Sequence, residues 1–226
     1  AFEGSAAAAA LGQTLFSDGL LGGASGVSCA VCHDPSKGFS DGLSVAKGVA
    51  VGSLNTPTLF MAAHARRQFW DGRADSLWSQ ALGPIENPIE MAGSRLGVAH
   101  RVASTYAKPY EALFGPLPDL ADTKRFPLSG KPGDAAYDGM TAADREAVTR
   151  VFVNVAKSIA AFERTIPAPA SRLDAYIAGK TDALTPLERD GLVLFLRAGC
   201  ITCHHGPAAT DGAFHAIRMP SHADGG

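Results

Sequence analysis

Two stretches of the chain share one chemical frame: CAVCH, Cys29 to His33, and CITCH, Cys200 to His204. All four cysteines of the 226-residue chain lie in them. Two thiols separated by two residues and followed at once by an imidazole suit covalent haem attachment. The intervening pair lets the backbone turn so that both sulfurs reach the vinyl groups on one porphyrin edge, and the His then sits beneath the iron as axial ligand. A bare CxxC also serves redox dithiols and zinc sites. A four-cysteine zinc site spaces its pairs by tens of residues at most. Here the pairs stand near opposite ends of the chain, and each carries the extra His. A thioredoxin-like site expects a βαβ pattern, which is absent. Two structural disulfides are the weakest alternative. The expectation is therefore two covalently bound haem c groups, attached at Cys29, Cys32, Cys200 and Cys203, with His33 and His204 as iron ligands. Haem c attachment is an export-side chemistry, so a periplasmic location is expected. His205 reads as a loop residue, and His215 and His222 as histidines without a matching partner. His64 and His100 read as surface or satisfied histidines rather than ligands from the far side of a haem.

Three helices stand out as the elements that position these motifs. Ser5 is a candidate N-cap for a run of good helix formers ending near Phe16. Thr141 and Asp144 form a helix start signal, and Val148, Val151, Phe152, Val155, Ile159, Phe162 and Ile166 recur at steps of three and four. That apolar stripe predicts a long central helix from Thr141 to Ile166. The third helix begins at Thr185, with Pro186 in its first turn and Glu188 three residues after the cap. Leu187, Gly191, Leu194 and Phe195 share a face of it, and Gly199 is a natural stop just before the second motif. No alternating strand of useful length is found. The segment Asn55 to His64 reads as a short strand or a helix turn, and Gly115 to Gly139 as loop and turns. TIPAPAS, Thr165 to Ser171, breaks the long helix and marks a domain boundary, giving 1–166 and 167–226. The expected fold is mostly α: two c-type cytochrome-like haem domains with long loops.

Composition narrows the function classes. The chain is 46% hydrophobic and 19% charged with a net charge of −2, so it lacks the clustered basic excess of a nucleic-acid footprint. Its one basic cluster, HARRQF from His64 to Phe69, is short and interleaved with apolar residues. No apolar run reaches the length needed to span a bilayer. SAAAAALGQTLF lacks the basic start and strongly apolar centre of a signal peptide, and a first residue of Ala rather than Met is expected from a processed or trimmed start.

NTPT (Asn55 to Thr58), FWDGR (Phe69 to Arg73), QALGPIENPIEM (Gln80 to Met91), AFERT (Ala161 to Thr165), CITCHHGP and TDGAFH together resemble the bacterial di-haem cytochrome c peroxidase family, including its MauG-like branch. The resemblance covers nearly the whole chain. It implies an N-terminal haem where hydrogen peroxide reacts, at Cys29, Cys32 and His33, and a C-terminal electron-transfer haem at Cys200, Cys203 and His204. It implies that Trp70 lies between the haems and helps move electrons, that Glu90 lies on the open face of the first haem, and that Gln80 and Pro84 belong to the same distal pocket. It implies that Asn55 ligates a calcium ion held between the domains. The residues themselves say less. Glu90 lies among Pro88, Ile89, Met91 and Ala92, where burial would raise its pKa and suit it to pass a proton between the two peroxide oxygens. Trp70 by itself reads as a core aromatic. Asn55 by itself reads as a turn or cap residue. Arg73 is expected to pair structurally or to contact a haem propionate.

Two departures from the family pattern bear on function. Many members carry a His before the NTPT motif that caps the first haem until the second is reduced. By spacing that place falls near Lys47, and no His lies between His33 and His64. HDPSKGFSDG, from His33 to Gly42, also looks like the MauG-like branch. An open first haem is expected, reacting with peroxide without prior reduction, with His64 as the rival cap. The second departure is that family members continue well past the second motif, where they supply the far axial ligand of the second haem. Met219 stands too close in sequence to be that ligand. The second domain is therefore expected to be incomplete. The implied activity is reduction of hydrogen peroxide with electrons from a small redox protein, a cytochrome c or a cupredoxin. The alternative is a MauG-like oxidation of residues in a partner protein, and a non-enzymatic di-haem electron carrier is the remaining reading.

Overall fold

The computed structural model describes residues 4–216; Met219 and His222 lie outside them. Nine α-helices are found among the described residues: α1 (Ala6–Phe16), α2 (Cys29–Cys32), α3 (Leu77–Glu86), α4 (Arg95–Arg101), α5 (Ala107–Phe114), α6 (Ala135–Asp138), α7 (Ala142–Glu163), α8 (Arg172–Ile177) and α9 (Pro186–Arg197). A π-helical turn, Val102–Tyr106, joins α4 to α5. Strand pairing among the described residues is limited to three isolated bridges, Asp34 with Ser40, Lys47 with Val51 and Gln68 with Ala74. The fold is mostly α with long connections.

Backbone contacts divide the chain into two compact units, Ala1–Ala168 and Pro169–Gly226. In the first, α7 is the axis of the core. Val148, Val151, Phe152, Val155, Ala156 and Ile159 are all buried on it and pack with Leu11, Leu15 and Phe16 of α1 and with Ala81 and Ile85 of α3. The crossing of α1 and α7 depends on Gly12: a Cβ there would lie 1.9 Å from the Ser158 carbonyl oxygen. Any larger side chain would hold the helices apart.

The cap signals fold as their chemistry dictates. Ser5 Oγ accepts from the Ala8 N–H and Thr141 Oγ1 from the Asp144 N–H. Thr185 and Glu188 close a reciprocal capping box. Asp144 does not return the bond to Thr141; its carboxylate instead takes Arg125 Nε at 2.8 Å. Helix α7 stops at Glu163, three residues before the expected end at Ile166. Pro167 follows Ile166 and disfavours helical backbone in the residue before it. The chain instead tightens into a turn in which the Ile166 N–H reaches the Glu163 carbonyl. Helices α3, α4, α5 and α8 are not legible in the sequence, and the one-turn α6 falls within the Gly115 to Gly139 segment expected to be loop and turns. Pro84 lies inside α3, and Gly97 and Pro109 interrupt the propensity of α4 and α5. The segment Asn55 to His64 is irregular apart from a single 3-10 turn at Ala62–His64.

Candidate functional site

The first motif opens helix α2, so Cys29 and Cys32 sit one turn apart, and His33 ends it with its N–H on the Cys29 carbonyl. No disulfide joins the cysteines. Burial, followed by the nearby Glu163 carboxylate, pushes the Cys29 thiol up to about 12. Cys32 is raised as well, by burial and then by Asp41 and Glu90. A redox dithiol needs the opposite shift, toward the thiolate. These thiols are held neutral.

The imidazole of His33 is aimed by its surroundings. Its Nδ1 N–H donates to the Phe39 carbonyl at 3.1 Å, and the Pro57 backbone is a second hydrogen-bond partner of the ring; a backbone bond of this kind orients a ligating imidazole. The ring lies 6.4 Å from that of Phe16. The second motif repeats this arrangement. His204 Nδ1 donates to the Ala209 carbonyl at 3.1 Å, and the ring lies 6.2 Å from Phe195 of α9. Both accepting residues have left-handed backbones, φ 58° at Phe39 and 50° at Ala209, which non-glycine residues adopt only at a cost. Two sites built alike, each with a thiol pair and an imidazole whose Nδ1 is taken, have the donor set of covalent haem. The residues present fit that group: Cys29, Cys32 and His33 would hold one haem, and Cys200, Cys203 and His204 the other.

The residues expected around the peroxide lie on α3 and in the turn that follows it. Gln80 and Pro84 are four apart on α3, hence on one face. Pro84 has no N–H to give the Gln80 carbonyl, and its own carbonyl accepts from Met91 N–H at 3.2 Å. That bond folds the turn bearing Glu90 back onto the helix. Glu90 is half-buried, and Asn87 Nδ2 donates to its Oε1 at 2.8 Å. Burial raises its carboxyl above the usual range, opposed by the Asn87 hydrogen bond and the Arg73 charge. Its charge is felt at both Cys29 and Cys32.

The loop around Lys47 is stitched to the same turn. Val49 N–H donates to the Glu90 carbonyl and Ala50 N–H to that of Ile89, each at 2.9 Å. Gly48 makes the approach close: a Cβ there would lie 2.4 Å from the Glu90 carbonyl oxygen. The Lys47 carbonyl in turn lies 3.9 Å from Cys32 Sγ.

Trp70 is not a core aromatic of its unit; it is 55% exposed. Its Nε1 donates to the Asn55 carbonyl at 3.1 Å, which brings two of the expected residues together. Asn55 itself is exposed. Arg73 stacks on Phe69, 3.5 Å from the ring centroid, and donates from Nη1 to both carboxylate oxygens of Asp71. His100 is satisfied by the Phe126 and Pro127 carbonyls, and His64 and His205 are exposed. His215 does have a partner, contrary to expectation: Asp211 Oδ2 lies 2.8 Å from its Nε2. No sequence signal pointed to the Phe39 and Ala209 acceptors, which are backbone groups, or to Asn87. Among the described residues no helix is long and apolar enough to cross a membrane.

A family model described as di-haem cytochrome c peroxidase matches residues 6–182. The cytochrome c551 peroxidase of Pseudomonas aeruginosa is 35% identical over 200 residues, covering 87% of this chain and 49% of that protein. The methylamine utilization protein MauG of Methylorubrum extorquens is 33% identical over 220 residues, covering 95% and 54%. Among solved structures, the diheme peroxidase BthA from Burkholderia thailandensis superposes with a TM-score of 0.69 at 26% identity, covering 90% of this chain and 50% of that one. The chain spans about half the length of these relatives.

Proposed function

The chain belongs to the di-haem cytochrome c peroxidase family, and on that premise we propose that it serves an oxidoreductase that reduces hydrogen peroxide at the N-terminal haem with electrons relayed by the C-terminal haem. The observation that carries this reading is Glu90: a half-buried carboxyl with a raised pKa, held by a hydrogen-bonded turn within electrostatic reach of both cysteines of the first motif. When bound, haem iron supplies the redox chemistry that breaks the O–O bond. Glu90 takes the proton from the inner peroxide oxygen and returns it to the outer one, which leaves as water. Asn87 keeps Oε1 oriented, so Oε2 is the oxygen that exchanges the proton. Gln80 and Pro84 wall the same pocket, and Trp70 carries electrons toward it. Residues 1–166 form the peroxidatic domain and 167–226 the electron-transfer domain. Asn55 contributes to a calcium site, the donor is a cytochrome c or a cupredoxin, and the location is the periplasm.

A MauG-like oxidation of a partner protein is the second reading. It is favoured by the Lys47 loop, which offers no His and is bonded to the Glu90 turn along its backbone. Stoichiometric peroxide added to the fully oxidised two-haem protein tests both. Rapid oxidation of both haems means an open first haem and supports the MauG-like capacity. Reaction only after one electron is supplied means a capped first haem. A Glu90→Gln protein that reacts at the wild-type rate removes Glu90 from the mechanism.

A further inference from the structure

Glu163, the last residue of α7, has no part in the chemistry above. It is 5% exposed, and among the described residues its Oε2 has no hydrogen-bond partner. It lines a cavity of about 250 Å³ together with Leu59, Met61, His64 and Thr165. That volume holds several waters at the ~30 Å³ each occupies in the liquid, and exposed His64 gives it a polar rim. A buried carboxyl left without a partner is costly to ionise. Burial pushes it up to about 8, with the Arg164 charge pulling the other way.

The same carboxyl lies close enough to Cys29 that its charge is the second cause of that thiol's raised pKa. Cys29 is an attachment point of the first haem in the reading above. A charge at Glu163 is therefore felt where that haem is fixed, and a charge gained by the haem is felt at Glu163 in equal measure. Adding one electron to the haem makes the neutral carboxyl the favoured form.

We infer that Glu163 is a buried proton site that, at pH values where it is ionised in the oxidised protein, takes up a proton from water through the cavity at His64 when an electron enters the haem held at Cys29, Cys32 and His33. The groups facing it are Arg164 and Thr165 from the turn after its own helix, His64 across the cavity, and Cys29, consumed as a thioether when haem is attached. The inference rests on haem attachment at the first motif and not on any peroxide step.

The test is a spectroelectrochemical titration of the two-haem protein between pH 5 and pH 10, resolving the first haem, with haem content and peroxide reaction measured on the same preparation. The wild-type reduction equilibrium of the first haem should shift with pH, up to tenfold per pH unit around Glu163's titration, which is 59 mV for one electron. Glu163→Gln should flatten that dependence, and His64→Ala should keep it. A flat wild-type profile, or one unchanged in Glu163→Gln, overturns the inference while leaving the peroxide reading in place. Absence of haem at the first motif overturns both. Should Glu163→Gln fail to fold, reduced-minus-oxidised infrared spectra of the wild type in H₂O and D₂O decide: a carboxylic acid band that grows on reduction and shifts in D₂O supports the site, and none overturns it.

Discussion

The two CxxCH motifs are built alike and supported differently. In each, the imidazole Nδ1 N–H donates to the carbonyl of a left-handed residue, Phe39 or Ala209. In each, a Phe from the preceding long helix stands 6.2 to 6.4 Å from the ring. Around the first motif, however, Phe16 is 2% exposed and its helix packs directly on α7. Around the second, the helix that supplies Phe195 leaves Leu187 81% and Leu194 66% exposed. The local frame of a ligand is thus separable from the core that holds it. Five residues and the turn after them suffice to orient the imidazole. Burial, which decides what the nearby carboxyls can do, comes from distant helices, and Glu90 and Glu163 both belong to the well-packed unit.

Substitutions in the two units test that contrast. The largest effect expected is at Glu90. Glu90→Gln should slow the peroxide reaction by about 10²–10⁴-fold, the usual contribution of a positioned acid–base group, with both haems still attached. Stopped-flow absorbance and a haem count measure it. Next come the paired phenylalanines. Phe16→Ala should cost about 3–5 kcal/mol, because it empties a buried site. Phe195→Ala, at a half-exposed site, should cost well under half as much. Denaturant unfolding of the two variants compares them, and equal losses would mean that the second motif is as well supported as the first.

The third test uses pH. The carboxyl of Glu163 is raised from 4.5 to about 8 in the folded chain. Its contribution to stability is fully present below pH 4.5 and is lost as pH rises through 8, because the unfolded chain releases the proton more readily. Glu163→Gln should therefore gain on the wild type by a few kcal/mol at pH 9 and above, since each tenfold difference in proton affinity between folded and unfolded chain is about 1.4 kcal/mol. Thermal unfolding across that range would show parallel curves for the two proteins if the carboxyl were solvated instead. The smallest effect is at Gly12. Gly12→Ala places a methyl group against the Ser158 carbonyl and should cost about 1–3 kcal/mol. It should also weaken haem retention at the first motif and leave the second alone, as haem counts on single-motif variants would report.

Much of this is readable from residues alone. The haem frames follow from residue type and spacing. Helices α1, α7 and α9 begin where Ser5, Thr141 and Thr185 place them, because a cap acts on its own next turn. The apolar neighbours of Glu90 foretell its raised pKa. Helix α3 is hidden because Pro84 and Gly83 oppose helix locally, and packing of Ala81 and Ile85 in the core overrides them. Trp70 reads as a core residue in the sequence and is not one, because residue type says nothing of which side of a turn faces water; its exposed indole is held by the Asn55 carbonyl.

Residue types and spacings alone thus settle the cofactor frames, the helix starts and the family. These are local, set by side chains within a few residues of one another. Folding is what leaves Glu163 Oε2 buried without a hydrogen-bond partner among the described residues, ties Glu90 to the Lys47 loop, and turns the Phe39 and Ala209 carbonyls to the two imidazoles. Each of those depends on burial or on backbone groups brought together by folding, and a backbone carbonyl looks the same at every position of a sequence until the fold selects one.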